Sequence, residues 1–159
     1  MTEIVYEEMR SGEERAVCEL VEHVFNELVA PDYEREGVEE FFRFANAAAI
    51  AERVRSGGFV LVAKQSGKPV GALEFALPDH VAMLFVTLRR QGIAKELIAR
   101  AIEKARRENP VLSKVTVHSS PYAETAYQKM GFRRSANPTT EHGILYTPME
   151  LLLGDLPEK

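Results

Sequence analysis

The amino-acid sequence predicts a single α+β domain, residues 1–159, in which helices cover both faces of a central mixed sheet. Three observations point to this class. The 159 residues are close to the roughly 150 of one domain, and 45% hydrophobic with 28% charged residues is an ordinary globular composition. Strand-like and helix-like apolar spacings follow one another in the order β-α-α-β-β-β-α-β-α-β-β. Residues 81–87 are apolar on both faces, as in the inner strand of a covered sheet.

The first part of the chain predicts one strand followed by two helices. Residues 4–9 form the strand, and Ser11 with Glu14 has the spacing of a capping box that starts the first helix. Pro31 ends that helix because proline cannot continue it. Apolar positions at helical spacing predict the second helix over residues 38–54, just before two glycines.

The middle of the chain predicts a hairpin, a buried strand and a long helix. Residues 59–63 and 70–76 have strand character and flank a turn at residues 65–68. The buried strand over residues 81–87 follows. Residues 92–108 then carry an apolar stripe at helical spacing, so three consecutive strands precede the long helix.

The last part of the chain predicts three strands around a short helix. Residues 115–117 form a buried strand, Ser120 caps the short helix, and Gly131 ends it in the left-handed conformation. A strand near Phe132 and a longer one over residues 144–152 close the chain.

Charge and composition exclude several classes of function. The net charge is −4, divided into −8 for residues 1–80 and +4 for residues 81–159, an excess of bases too small for a nucleic-acid binder. No apolar stretch approaches the roughly 20 residues of a membrane-spanning helix, and the acidic amino terminus is unlike a secretory signal. We therefore expect a cytoplasmic protein. Its one cysteine, Cys18, is expected to be a packing residue, and the histidine spacing predicts no metal site.

The junction between the buried strand and the long helix is the most informative segment. The first N–H groups of a helix lack intrahelical partners and carry the positive end of its dipole, which suits phosphate. Gly92 allows the backbone to approach an anion closely, and Ala94 keeps the first turn small. Three bases add formal charge there: Arg89, Arg90 and Lys95. The alternative is an ordinary helix start with solvated bases, and neither common nucleotide-binding motif is present.

Two motifs together resemble those of a known family. Arg89-x-x-Gly92-x-Ala94 resembles the acyl-CoA pyrophosphate signature of the GNAT superfamily of N-acetyltransferases, and Ala123-x-x-x-Tyr127-x-x-x-Gly131-Phe132 resembles its second signature. Their separation and the strand order are also similar to the GNAT core, so the resemblance covers essentially the whole chain. It implies a three-layer fold with a mostly antiparallel sheet that splays between the fourth and fifth strands.

Shorter matches, among them Asp79-His80 before the inner strand, further resemble a group of small, mostly uncharacterised bacterial members of that superfamily. Two features depart from the common pattern. The loop between Val86 and Arg89 is shorter than usual, and Ser120 stands where many relatives have Asn.

The resemblance implies a site for acetyl-CoA as co-substrate in the gap between the strand ending at Val86 and the strand over residues 115–117. Main-chain groups of the first strand would pair with the pantetheine arm, an N–H near Leu84 or Phe85 would polarise the thioester carbonyl, and the helix start would hold the pyrophosphate. The residues implied in cofactor binding are Leu84, Phe85, Val86, Arg89, Arg90, Gln91, Gly92, Ile93, Ala94 and Lys95. Tyr127 would donate a proton as coenzyme A leaves, or else is a core tyrosine.

An amine acceptor must lose a proton before it attacks, because an ammonium has no lone pair, so a base or a water that it orders is required. Glu74, charged within an apolar strand, and His80, at the start of the inner strand, are both candidates, with His118 as a third. Alternation alone would also place Glu74 on a solvent face, and His80 could belong to a capped turn.

The sequence thus favours an acetyl-CoA-dependent N-acetyltransferase that transfers the acetyl group directly to a primary amine of a small molecule or peptide. A non-catalytic acyl-CoA sensor and a nucleotide phosphate binder are the alternatives, and a monomer and a homodimer both remain open. The acids around residues 32–40 would attract a cationic acceptor or are ordinary solvated surface.

Overall fold

An eight-stranded mixed sheet is the centre of the structure, a computed structural model that describes residues 3–88 and 90–154. Its strands are β1 (Ile4–Glu8), β2 (Phe59–Gln65), β3 (Lys68–Ala76), β4 (His80–Val86), β5 (Lys114–Ser119), β6 (Arg133–Arg134), β7 (Thr139–Glu141) and β8 (Ile144–Leu152). The helices are α1 (Glu14–Val24), α2 (Arg35–Phe44), α3 (Ala47–Arg55), α4 (Ile93–Glu108) and α5 (Glu124–Lys129). The strand order is β1-β2-β3-β4-β5-β8-β6, with β7 paired to β8.

The predicted splay between the fourth and fifth strands is confirmed. β4 and β5 are parallel, whereas every other strand pair in the described sheet is antiparallel, and they pair only at His80 with Thr116 and Val81 with Val117. The register of β3 against β4 skips Ala82. This skipped residue is a β-bulge, which bends and twists its strand. Because the bulge directly follows the last β4–β5 pair, it accounts for the divergence of the two strands.

Two apolar cores cover the two faces of the sheet. One core lies on the α4 face and includes Leu97 of α4 and Tyr127 of α5, and the other includes Val17 of α1 and Ile50 of α3. The predicted helix–sheet–helix layering is therefore confirmed. No helix within the described residues is long and apolar enough to cross a membrane.

The predicted cap of the first helix is wrong. The sequence placed Ser11 at the cap, but α1 begins at Glu14 and Gly12 adopts a left-handed φ of +99°, so the chain still turns at that point. Glu13, which precedes the helix, instead accepts a hydrogen bond from the Arg10 N–H (2.7 Å) and an ion pair from Lys64 of β2. The carboxylate of Glu13 fixes the turn between β1 and α1, which local spacing does not reveal.

The single helix predicted over residues 38–54 is two helices. Asn46 interrupts it, because its side-chain Oδ1 accepts the Ala49 N–H at 2.9 Å and thereby caps α3. The first helix also continues as a π-helical turn (Phe25–Val29) and a 3-10 turn (Ala30–Asp32) before the chain reaches α2. The short strand β7 was not predicted.

Candidate active site

The cleft between β4 and β5 is lined by main-chain groups of β4. The Thr87 N–H donates to the Val70 carbonyl of β3 at 2.9 Å. Because hydrogen-bonding direction alternates along an antiparallel strand, Phe85 also turns its main-chain groups to β3, whereas Leu84 and Val86 turn theirs to the open edge. β5 does not pair with this part of β4. The N–H and carbonyl groups of Leu84 and Val86 therefore face the open edge, where an extended ligand has room to pair with them. The main-chain groups of Phe85, which the sequence also assigned to a pantetheine arm, face β3 instead, and its side chain packs against Phe41.

The amino terminus of α4 lies beside this edge with its first N–H groups available. The first intrahelical bond there runs from the Glu96 N–H to the Gly92 carbonyl (3.0 Å), and no side chain caps the helix. A Cβ placed on Gly92 would meet nothing within 4 Å, so open space faces the backbone where an anion would lie. Gly92 has a φ of +72° and Arg90 a φ of +61°. A left-handed backbone at Arg90 and Gly92, followed directly by the free N–H groups of the helix, suits a phosphate group.

Packing against β3 holds this helix start in place. Ile93 is buried, and a Cβ at Gly71 would lie 2.9 Å from its Cγ2 and 3.3 Å from Cδ1 of Leu97. A glycine at position 71 thus lets the first turn of α4 approach the sheet closely. The remaining predicted contacts of the loop, Arg90, Gln91 and Lys95, are exposed beside it, and Arg89 lies outside the described residues.

Tyr127 is buried on the α4 side of the sheet. Its side chain is 5% exposed and packs edge-on against Phe132, with ring centroids 5.3 Å apart. Leu84 and Val86 pack against the same core, so the tyrosine shares it with the strand that borders the cleft. Burial raises the pKa of Tyr127 well above its usual value. A phenol is protonated at neutral pH even at its usual pKa, so Tyr127 carries a proton there.

A pair of histidines occupies the opposite face of the sheet at the closed end of the cleft. The rings of His80 and His118 lie edge to face with centroids 4.8 Å apart, and Tyr146 of β8 stacks on His118 at 4.2 Å. His80 Nδ1 is 2.8 Å from Oγ1 of Thr116, its partner on β5. The Tyr146 hydroxyl donates in turn to Glu141 of β7. The structure therefore brings two of the three candidate bases together.

Both histidines favour the neutral form. Burial lowers the pKa of His80, and the neighbouring His118 lowers it further while Asp79 opposes the shift. Burial also lowers the pKa of His118, against an opposing effect of Glu141. Neutral imidazoles have a free lone pair, so this pair can accept a proton at neutral pH.

Glu74 lies on the same face but is occupied by a cation. Its carboxylate is 2% exposed and accepts two hydrogen bonds from Arg53 of α3, from Nε at 2.7 Å and from Nη2 at 2.9 Å. The guanidinium also lies over the ring of Phe44, 3.7 Å from its centroid. Both oxygens of this carboxylate are thus engaged by the guanidinium of Arg53.

Helix α2 and an aromatic cluster extend over this face. Phe41 of α2 packs against Phe85 of β4 with centroids 5.8 Å apart, and Phe25 stacks on Phe41 at 3.9 Å. At the other end of the face, Gly37 contacts the β7–β8 turn so closely that a Cβ there would lie 2.0 Å from the Gly143 carbonyl oxygen. Helix α2 thus contacts both β4 and the β7–β8 turn on the face that carries the histidines.

Sequence analysis missed several residues beside these candidate bases. Thr116 and Tyr146 were not considered, although Thr116 and His118 alternate on one strand and so share a face. Arg53, the partner of Glu74, has no local signal because it lies 21 residues away in the chain. Within the described residues, no group of three or more potential metal ligands occurs.

Comparison with known proteins agrees with this architecture. A sequence profile described as an acetyltransferase (GNAT) domain matches residues 29–153. The chain belongs to the GNAT family. No curated protein matches its sequence significantly. Among solved structures, a GCN5-related N-acetyltransferase from Rhodopseudomonas palustris is 24% identical with a TM-score of 0.81, and the match covers 96% of this chain and 98% of that one.

Two further GNAT structures hold the coenzyme. PaiA N-acetyltransferase from Thermoplasma acidophilum, in complex with coenzyme A, is 15% identical with a TM-score of 0.77 over 95% of this chain and 99% of that one. YncA from Salmonella typhimurium, a putative acetyltransferase with acetyl-CoA, is 19% identical with a TM-score of 0.69 over 99% and 98%. At these identities the likeness establishes the shared GNAT fold.

Proposed function

We propose that this GNAT protein is an acetyl-CoA-dependent N-acetyltransferase that transfers the acetyl group directly to a primary amine. One observation carries the proposal. In the cleft between β4 and β5, main-chain groups of β4 that do not pair with β5 lie beside the start of α4. At the closed end of the cleft, on the sheet face opposite α4, lie two neutral histidines. A thioester and an amine can therefore approach the same point from two sides.

Acetyl-CoA fits the β4 side of this arrangement. The free N–H groups of Ile93, Ala94 and Lys95 suit the pyrophosphate, and the open-edge groups of Leu84 and Val86 suit the two amides of pantetheine. The two solved relatives that contain coenzyme A or acetyl-CoA support acetyl-CoA as the co-substrate.

The reaction needs three functions from the chain. His80 takes the proton of the ammonium, so that the neutral nitrogen attacks the thioester carbonyl and a C–N bond forms. The Leu84 N–H stabilises the developing oxyanion. As the C–S bond breaks, Tyr127 donates its proton to the departing thiolate. The nitrogen loses its second proton to solvent, which also returns a proton to Tyr127. No covalent enzyme intermediate is required, because donor and acceptor are bound together.

His80 is a better candidate for the base than Glu74. The lowered pKa of His80 leaves it unprotonated at neutral pH, whereas Arg53 occupies both oxygens of Glu74. His118 is the more exposed of the two histidines and lies next to His80 towards the open end of β5. We assign it to the wall that the acceptor contacts.

Mass spectrometry of a panel of primary amines and amino-terminal peptides, incubated with acetyl-CoA, tests the proposal. We expect at least one acceptor to gain one acetyl group, and His80→Gln to lower its turnover by roughly 10²-fold or more, as for loss of a general base. His23→Gln is the matched control, because that histidine lies exposed on α1. Tight acetyl-CoA binding with no acetylated product across the panel would instead support a sensor.

A further inference from the structure

The hydroxyl of Thr116 contacts a ring nitrogen of His80 and so influences which ring nitrogen carries the proton. The two residues are direct partners across the parallel β4–β5 pair, and Oγ1 of Thr116 is 2.8 Å from Nδ1 of His80. A neutral imidazole carries its proton on one nitrogen and its lone pair on the other. The direction of this one hydrogen bond therefore decides which nitrogen of His80 can accept a proton.

The main-chain carbonyl of Asp79 provides an acceptor for the threonine hydroxyl. It accepts the Thr116 N–H at 2.8 Å and lies 3.5 Å from Oγ1, in a direction suitable for the hydroxyl proton. The hydroxyl has a single proton. If this proton points to the Asp79 carbonyl, Oγ1 is free to accept the Nδ1–H of His80, and Thr116 makes hydrogen bonds with both Asp79 and His80. If the proton points to Nδ1 of His80, the hydroxyl makes a hydrogen bond with His80 but none with Asp79.

We propose that Thr116 is a positioning residue that holds His80 with its proton on Nδ1, so that Nε2 presents the lone pair to the acceptor amine. This inference rests on the proposed function, in which His80 is the base. Protonation at Nε2 then needs no rearrangement, since the Nδ1–H bond to Thr116 exists both before and after the proton arrives.

The surroundings of His80 keep its ring in this orientation. The His118 ring meets it edge to face at an interplanar angle of 69°, and Tyr146 stacks behind His118 at 19°. A flip of the His80 ring would replace Nδ1 by a carbon opposite Thr116 and lose the hydrogen bond. The charged and titratable groups around it are Asp79 from its own turn, His118 from β5 and, behind His118, Glu141 from β7.

Nitrogen-15 NMR of the histidine side chains in the unliganded protein tests the tautomer without any activity. We expect the His80 signals of the neutral ring to show the proton on Nδ1, and His80→Gln to assign them by their loss. A signal pattern with the proton on Nε2 would overturn the inference, whatever the enzyme catalyses.

Steady-state kinetics with an acceptor found in the amine and peptide panel test the positioning role. Thr116→Val keeps the shape of the side chain and removes the hydroxyl, whereas Thr116→Ser keeps the hydroxyl. We expect Thr116→Val to lower kcat by about tenfold, consistent with the loss of one hydrogen bond, while the KM for acetyl-CoA is unchanged and Thr116→Ser is close to wild type.

The pH profile separates positioning from mere packing. Because Oγ1 accepts from the imidazolium, its removal lowers the pKa of His80 further, so the acidic limb of kcat/KM should move to lower pH in Thr116→Val. An unmoved limb with unchanged kcat would refute the positioning role even if His80→Gln is inactive. Full activity of His80→Gln would instead remove His80 as the base and so refute the proposed function, an outcome distinct from a wrong tautomer.

Discussion

Replacing Glu74 with Gln separates its two possible roles. Loss of a catalytic base lowers turnover, whereas loss of an ion-pair partner lowers the stability of the fold. The carboxylate is 2% exposed and makes two hydrogen bonds with Arg53, whose side chain is 27% exposed. Glu74→Gln preserves the shape but leaves the guanidinium without its countercharge. We therefore expect a loss of stability with little loss of catalysis.

The size of this effect follows from the burial of the pair. Breaking a buried ion pair by removing one partner costs about 3–5 kcal/mol, and the partial exposure of Arg53 places this case at about 3 kcal/mol. In a domain of this size each kcal/mol lowers Tm by about 2–4 °C, so Glu74→Gln should lower Tm by about 6–12 °C. Arg53→Met should be destabilising for the same reason.

Thermal unfolding of both single variants and the double variant completes the test. Removing both charges together should cost less than the sum of the single changes, because no uncompensated charge remains. The turnover of Glu74→Gln, measured well below its Tm, should stay within about tenfold of wild type, against the 10²-fold or greater loss typical of a general base. An unchanged Tm with turnover reduced about 10²-fold or more would refute this reasoning and make Glu74 the base.

Two substitutions and one pH profile test the cleft further. Gly92→Val should weaken acetyl-CoA binding in calorimetry by about tenfold or more with the fold intact in circular dichroism, because a β-branched residue disfavours the φ of +72° and fills the space before the helix start; equal affinity would place the pyrophosphate elsewhere. Tyr127→Phe should keep acetyl-CoA affinity and slow turnover by roughly 10²- to 10⁴-fold, and an unchanged turnover would make Tyr127 purely structural. The acidic limb of kcat/KM should lie below about pH 6.5, because burial lowers the pKa of His80 and activity is lost only as pH falls through that lowered value; a limb above pH 7 would contradict a neutral His80.

The parts of the fold that sequence analysis predicted well depend on local signals. The apolar stripe of α4 and the glycine before it locate the helix start to within one residue, since both the spacing and the left-handed residue are local. The hairpin of β2 and β3 is predicted for the same reason. The order of the predicted helices and strands along the chain then limits the sheet to few topologies.

The parts that were missed depend on distant residues. Asn46 interrupts the second helix by capping α3, a role that an alanine-rich apolar pattern conceals. Glu74 could be recognised as an unusual charge in a strand, but its partner Arg53 is placed beside it only by the packing of α3 on the sheet. The contact of His80 with Thr116 likewise follows from the β4–β5 register, which no short motif encodes.

The bulge at Ala82 links the two halves of the candidate site. In a regular strand Val81 and Met83 would share a face, yet Val81 packs in the α4-side core and Met83 in the opposite one. The extra residue therefore turns His80, the neighbour of Val81, to the face that carries Met83 and Phe85. The same bulge ends the pairing with β5 and frees the edge groups of Leu84 and Val86. One inserted residue thus opens the strand edge proposed for acetyl-CoA and directs the proposed base to the acceptor face, so a change that removes the bulge should impair both functions together.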